Sequence, residues 1–188
     1  MSAAFDMVDH SILLQKLTRT YGENGVALEW LKPYLRDRHQ MVEHEGTRST
    51  KRNLIYGVPQ GSVLGQILFL LYTGEINDII ERYGLHSQCY ADDCQVHSSS
   101  KPVEKERLQQ ITLVIDGLSS WMASNRLKLH QDKSKFIWIA SSGRKHSPIT
   151  GNGLSITPSS TVRLLEAHLD ETICFETHVS KIVSACFF

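Results

Sequence analysis

The sequence predicts an α+β fold in which helices pack on one face of a mainly antiparallel sheet and leave the other face free. Three observations support it. Long segments place apolar residues at helical spacing, and short alternating segments come in pairs around turn residues. The 188 residues, 41% hydrophobic and 21% charged, suffice for one soluble domain with its own core. No internal repeat is visible.

Taken in order, Asp9 is placed to cap a helix through residues 11–17, whose Leu13, Leu14, Leu17 and Tyr21 share a face and which Gly22 stops. A second helix spans residues 26–35, with Ala27, Leu28, Leu31 and Leu35 on one side and Pro33 expected to kink or shorten it. Residues 40–44 and 53–56 read as strands around a turn at Gly46. Residues 57–62 form a loop by composition, and Ser62 caps an apolar helix running to Tyr72.

Residues 85–90 and 94–97 then read as a hairpin. Residues 102–125 give the clearest helix, with Leu108, Ile111, Ile115, Leu118 and Met122 as a stripe for the core. Strands are expected at 127–129 and 136–139 around a polar turn. Residues 141–158 read as a Gly/Ser-rich loop holding the basic pair Arg144 and Lys145, and the tail as a strand followed by a helix.

Composition narrows the function. Twenty basic residues balance twenty acidic ones, so any nucleic-acid contact must come from local patches and not from a global basic field. The four cysteines, Cys89, Cys94, Cys174 and Cys186, form no Cys-x-x-Cys pair, and the nine histidines make no metal-spaced cluster with them, which fits a reducing compartment. The longest apolar run, residues 67–72, is far short of the ~20 residues that span a bilayer, so no membrane contact is expected. No secretory signal is visible at the start.

The segment Tyr90-Ala91-Asp92-Asp93 carries the sharpest chemical signal. Consecutive side chains on a strand point to opposite faces, so adjacent aspartates serve one site only where the backbone turns, as at a hairpin tip. Two such carboxylates repel unless a cation lies between them, and Mg²⁺ prefers hard carboxylate oxygens. The plain alternative is a turn in which Asp bonds its own backbone.

Context decides between them. Ser2-Ala3-Ala4-Phe5-Asp6-Met7-Val8-Asp9-His10, residues 57–65 and residues 90–93 resemble, in that order, the three palm motifs of the reverse transcriptase domain of non-LTR, LINE-type retrotransposons, nearest the chicken-repeat and jockey-like branch. Residues 119–127 and Lys133 extend the likeness over nearly the whole chain.

The resemblance implies a polymerase-palm-like antiparallel sheet with helices on one face. It also implies two Mg²⁺ ions, an RNA template, a DNA primer and dNTPs as partners, and phosphoryl transfer to a primer 3′-hydroxyl. On that likeness Asp92 and Asp93 hold metal, Tyr90 sets the turn beside the primer end, and Phe5 excludes a ribose 2′-hydroxyl. Gln60 and Gly61 lie against the template base and nucleotide, and Lys133 assists the leaving group. Bland readings stand beside these: a core aromatic for Phe5, a turn for Gln60 and Gly61, a solvated charge for Lys133. Arg36, Arg38, Lys51 and Arg52 are candidates for template phosphates or ordinary surface charges. The family implies an intracellular site, cytoplasm or nucleus.

The likeness also has gaps. The family's first motif opens with an Asp two residues before the position of Ser2, so residues 1–188 are expected to be a partial domain, the palm without fingers or thumb. Asp6 is no substitute, since an extended segment would put it roughly 20 Å away at ~3.3 Å per residue. Asp9 is better explained as a cap. Gln66, Cys94, His130-Gln131 and Leu164-Leu165-Glu166 depart from the family's residues, and Glu166 puts a Cβ and a negative charge where the family has Gly. The expectation is a reverse transcriptase fragment that is inactive as this truncated chain. The alternatives are a non-catalytic nucleic-acid-binding or inert remnant and a two-metal nuclease using Asp92 and Asp93.

Overall fold

The structure, a computed structural model, describes residues 4–98, 104–139, 148–151 and 154–187. Ser2, Ala3, Pro102, Arg144 and Lys145 lie outside these. The chain divides into two compact units: Met1–Lys101 with Gly117–Leu129, and Pro102–Asp116 with His130–Phe188. Helices alternate with small antiparallel ladders, an α+β arrangement.

In the first unit, a 3-10 turn at Ala4–Met7 leads into α1, His10–Arg19. Asp9 caps α1 as expected, its Oδ1 accepting from the amides of Ser11 at 2.8 Å and Ile12 at 3.0 Å. Leu13 and Leu17 are fully buried and Leu14 is half-buried, while Tyr21 lies exposed and donates to the Leu71 carbonyl. Helix α2, Gly25–Leu35, runs through Pro33 instead of stopping. Proline there sits in the last turn, so the helix loses one bond near its end, and the Arg36 amide still closes on Lys32 O at 3.0 Å.

Beyond α2, β1 (His39–Gln40) pairs with β4 (Arg52–Asn53), and between them β2 (Glu43–His44) pairs with β3 (Thr47–Arg48) around Glu45 and Gly46, both left-handed. The expected strand at 53–56 is thus shorter, with Tyr56 making only an isolated bridge to Asp9. Helix α3, Val63–Thr73, starts at Ser62, whose Oγ accepts the Gly65 amide at 2.9 Å. Helix α4, Glu75–Arg82, was not anticipated from the sequence.

Gly74 keeps helical dihedrals between α3 and α4, so residues 63–82 form one helical run. By length and composition alone this run, unlike residues 67–72 by themselves, is apolar enough to cross a membrane. Several of its apolar side chains fill the core, while Val63, Ile67 and Leu70 lie exposed. Leu68, Phe69 and Tyr72 cluster with Val8, Leu13, Leu17, Leu35, Val58, Met122 and Leu127, and each large side chain so buried stabilises by about 1.5–3 kcal/mol.

Strands β5 (His86–Tyr90) and β6 (Asp93–His97) form the expected hairpin. Helix α5, Glu104–Ser124, supplies Gly117 onward to this unit and its earlier residues to the other. Of its predicted stripe, Ile115, Leu118 and Met122 are buried and Leu108 and Ile111 half-buried. No strand forms at 127–129. The Leu127 amide instead reaches back to Met122 O at 2.8 Å and that of Arg126 to Ala123 O at 3.2 Å, with Arg126 at φ 53, so these residues are a left-handed helix stop.

The second unit holds a 3-10 turn at Gln131–Lys133, the hairpin β7 (Ile149–Gly151) and β8 (Leu154–Ile156), the hairpin β9 (Thr161–Leu164) and β10 (Ala167–Asp170), and α6, Glu176–Phe187. Two expectations are corrected. Phe136 makes only an isolated bridge to Pro158 in place of a strand at 136–139, and part of the presumed loop 141–158 is the β7–β8 hairpin, in which Ile149 is buried and Gly151 packs against Thr112 and Ile115 of α5. Nor is there one continuous sheet: the described strands form five separate two-stranded ladders. The two ladders made by β1–β4 are too short and too exposed to offer an apolar face to a neighbour.

Candidate active site

The two adjacent carboxylates sit where the backbone reverses. Tyr90 and Asp93 are directly opposed, with Ala91 and Asp92 as the two-residue turn between them. Ala91 takes φ 51, a left-handed conformation that suits tight hairpin turns but is uncommon for a residue with a Cβ. Asp92 is half-buried in the turn, and Asp93 opens β6 exposed to solvent beside Tyr90, itself 69% exposed. The hairpin rests on α4 through Asn77, whose Oδ1 accepts from Ser87 Oγ at 2.9 Å. Among the described residues no group of three His, Cys, Asp or Glu side chains is placed to hold a metal.

Phe5 and the loop at 57–61 are brought together. The Phe5 carbonyl accepts the Val58 amide at 2.9 Å, and its ring stacks on Phe69 with centroids 4.5 Å apart. Gly57 packs so closely that a Cβ would lie 3.0 Å from Asp6 Cα, and its φ of 86 independently favours glycine. Its carbonyl accepts two donors, His10 Nε2 and Arg38 Nη1, each at 2.8 Å. Arg38, a candidate for template phosphate, therefore serves this clasp, while Arg36, Lys51 and Arg52 are exposed. Gln60 is exposed at the tip of a turn closed by Ser62 N to Pro59 O at 3.2 Å. Gly61, φ 83, takes the third position, where a type II turn requires a left-handed residue.

Asp6 lies on the exposed side of its 3-10 turn. Asp9 is committed elsewhere: beyond its capping bonds, its Oδ2 pairs with Arg126 Nε at 3.0 Å. Around this pair lies a network the sequence reading did not foresee. The Tyr72 hydroxyl donates to Asn125 O at 2.6 Å and accepts the Asp9 amide at 3.4 Å, and Arg126 Nη1 donates to the Tyr56 hydroxyl at 3.2 Å. Burial pushes the Tyr72 phenol up to about 12.

Nearby, Lys16 Nζ donates to Glu75 Oε2 at 2.7 Å, and Trp121 Nε1 donates to the same oxygen at 2.6 Å. Burial pushes the Glu75 carboxyl up, but these two bonds outweigh it and hold it below its ordinary value. The signal for these contacts was present in the first and fourth matched segments, which contain Asp9, Asn125 and Arg126. Lys133 belongs to the second unit, where it ends the 3-10 turn with an exposed side chain. Glu166 occupies the β9–β10 turn at φ 70, after Leu165 at φ 43, and pairs with Arg163.

Comparison with known proteins follows the same residues. The family model described as "Reverse transcriptase (RNA-dependent DNA polymerase)" matches residues 1–167. Over 95% of its length the chain is 29% identical to the Drosophila melanogaster protein named "Probable RNA-directed DNA polymerase from transposon X-element". It is also 26% identical to the RNA-directed DNA polymerase from mobile element jockey, over 97% of this chain in Drosophila melanogaster and 95% in Drosophila funebris. The chain spans 20% of the length of each of these relatives.

Proposed function

Since the chain belongs to the reverse transcriptase family, of the LINE-type retrotransposon kind, we propose that it is the palm-like segment of a polymerase that adds dNTPs to a primer 3′-hydroxyl under an RNA template, and that this segment alone is inactive. Residues 1–188 are then a partial catalytic domain. The observation that carries this is the Tyr90–Asp93 hairpin, which sets two adjacent carboxylates at one reversal of the backbone with an aromatic directly opposite.

The donor set suits a hard divalent cation, and the reverse transcriptase family works with divalent metal. Asp92 and Asp93 would hold Mg²⁺, which when bound supplies charge stabilisation to the displaced phosphate and a more acidic primer hydroxyl. The chain's other residues position the reactants. Phe5, fixed by its stack on Phe69 and its bond to Val58, presents a rigid wall against a ribose 2′-hydroxyl. Gln60 and Gly61, on an exposed turn anchored by the Gly57 clasp, lie against the templating base and nucleotide. Tyr90 contacts the primer end, and Lys133 offers a mobile positive charge to the triphosphate.

A second reading, a non-catalytic nucleic-acid-binding remnant, is favoured by Glu166, which occupies a left-handed turn position best suited to glycine. A primer-extension and binding assay tests both. The 188-residue chain is expected to bind an RNA-template, DNA-primer duplex more tightly with Mg²⁺ than without, and Asp92→Ala to lose that gain, with no extension by either. Equal binding with and without Mg²⁺ would sink the metal-site reading. Extension above the Asp92→Ala control would show that this segment alone is catalytic.

A further inference from the structure

Cys89 and Cys94 face each other across the hairpin, one residue outside the pair that closes its turn. Tyr90 and Asp93 flank a two-residue turn and form its hydrogen-bonded pair, so the alternation of an antiparallel ladder makes Cys89 and Cys94 the next, non-hydrogen-bonded pair. Such pairs bring Cα atoms to ~4.5 Å, inside the ~4.4–6.8 Å that a disulfide bridges. Both side chains are exposed, and the two sulfurs stand 2.7 Å apart, about 0.7 Å beyond the ~2.05 Å of an S–S bond. Neither of the other cysteines is so placed. Cys174 Sγ donates to Asp170 Oδ2 at 3.3 Å, and Cys186 lies exposed on α6.

From this geometry we infer that Cys89 and Cys94 are a reversible dithiol site that exchanges with small-molecule disulfides and closes a covalent ring around Tyr90, Ala91, Asp92 and Asp93. The pairing sets two roles, since one sulfur attacks and the other, 2.7 Å away, resolves: Cys94 resolves when Cys89 is the attacking thiolate. Its sulfur attacks one sulfur of the external disulfide, forming a mixed disulfide and releasing one thiolate. Cys94 passes its proton to that thiolate or to water, then attacks the Cys89 sulfur as a thiolate, breaking the mixed disulfide and releasing the second group as a thiolate, which takes a proton from water. Two electrons pass from the cysteine pair to the oxidant, and no foreign atom remains on the protein.

The inference is independent of the polymerase reading, since its readout is a thiol count. Oxidised glutathione is applied to the Cys174→Ser, Cys186→Ser chain, followed by an alkylating reagent and intact-mass measurement. Both alkyl adducts are expected to disappear together with no glutathione retained, and dithiothreitol to restore them. Adding Cys94→Ser is expected to trap one glutathione on Cys89. Two thiols still alkylated, or two separate glutathione adducts, overturn the inference. Peptide mapping of the oxidised four-cysteine chain guards against a variant that misfolds: a Cys89–Cys94 link supports the site, and a link from either to Cys174 or Cys186 overturns it.

Discussion

The joint between the 3-10 turn, the 57–58 loop and the end of α5 is tied from several sides, whereas the β5–β6 hairpin that carries the carboxylates is a two-stranded ladder that rests on α4 at Asn77 and leaves its tip open. Around the joint, Asp9 and Tyr72 are buried and each makes bonds to more than one segment. On the hairpin, Tyr90, Ala91, Asp93 and Cys94 are all exposed. The contrast separates two tasks: the joint holds the fold, and the hairpin presents chemical groups to solvent.

Substitutions at the two places should therefore differ in size and in kind. The largest effect is expected at Phe69→Ala, which empties a fully buried position and removes the stack under Phe5, costing about 3–5 kcal/mol in a urea unfolding titration. Next is the network itself. Asp9→Ala removes the cap of α1 and the partner of Arg126 and should cost about 1–2 kcal/mol by the same measurement.

Tyr72 adds a pH signature to the joint. Its phenol is raised in the folded state, so its contribution is intact below pH ~10 and is lost as pH rises toward about 12. Alkaline unfolding followed by circular dichroism should show a shallower fall over that window in Tyr72→Phe than in the parent chain. An unchanged slope would mean that the hydroxyl does not bind its proton more tightly in the fold.

The hairpin should respond weakly, and once with the opposite sign. Ala91→Gly relieves a left-handed alanine and should stabilise by about 0.5–1 kcal/mol, seen as a small rise in melting temperature. Asp92→Ala should move stability by less than about 0.5 kcal/mol while abolishing the Mg²⁺-dependent part of duplex binding. A loss of several kcal/mol there would erase the distinction between scaffold and site.

Features decided locally were legible before the structure. Asp9 and Ser62 announce their helices through side-chain oxygens that accept nearby amides, and the turn at 90–93 is announced by its composition. Helix α4 was missed because Gly74 reads as a stop, although it keeps helical dihedrals here and lets Ile76, Ile79 and Ile80 continue into the core. Leu127 and Leu129 imitate the alternation of a strand, but Leu127 is buried by the fold-back of a helix end, a tertiary fact. Within the candidate site, Asp92, Asp93 and Tyr90 were readable as a unit since they are contiguous. The Gly57 clasp was not, because its donors arrive from α1 and from the residues after α2, far apart in sequence.

Arg126 stands at a helix-ending position that glycine would occupy without strain, and it is held there by a carboxylate near the other end of the same unit's chain. Its side chain is 58% exposed whereas that of Asp9 is 9% exposed. One partner of the pair is thus open to mobile ions and the other shielded from them. The joint is consequently sensitive to ionic strength on its outer side alone: added salt weakens the pull on the guanidinium and leaves the capping bonds of Asp9 to α1 in place.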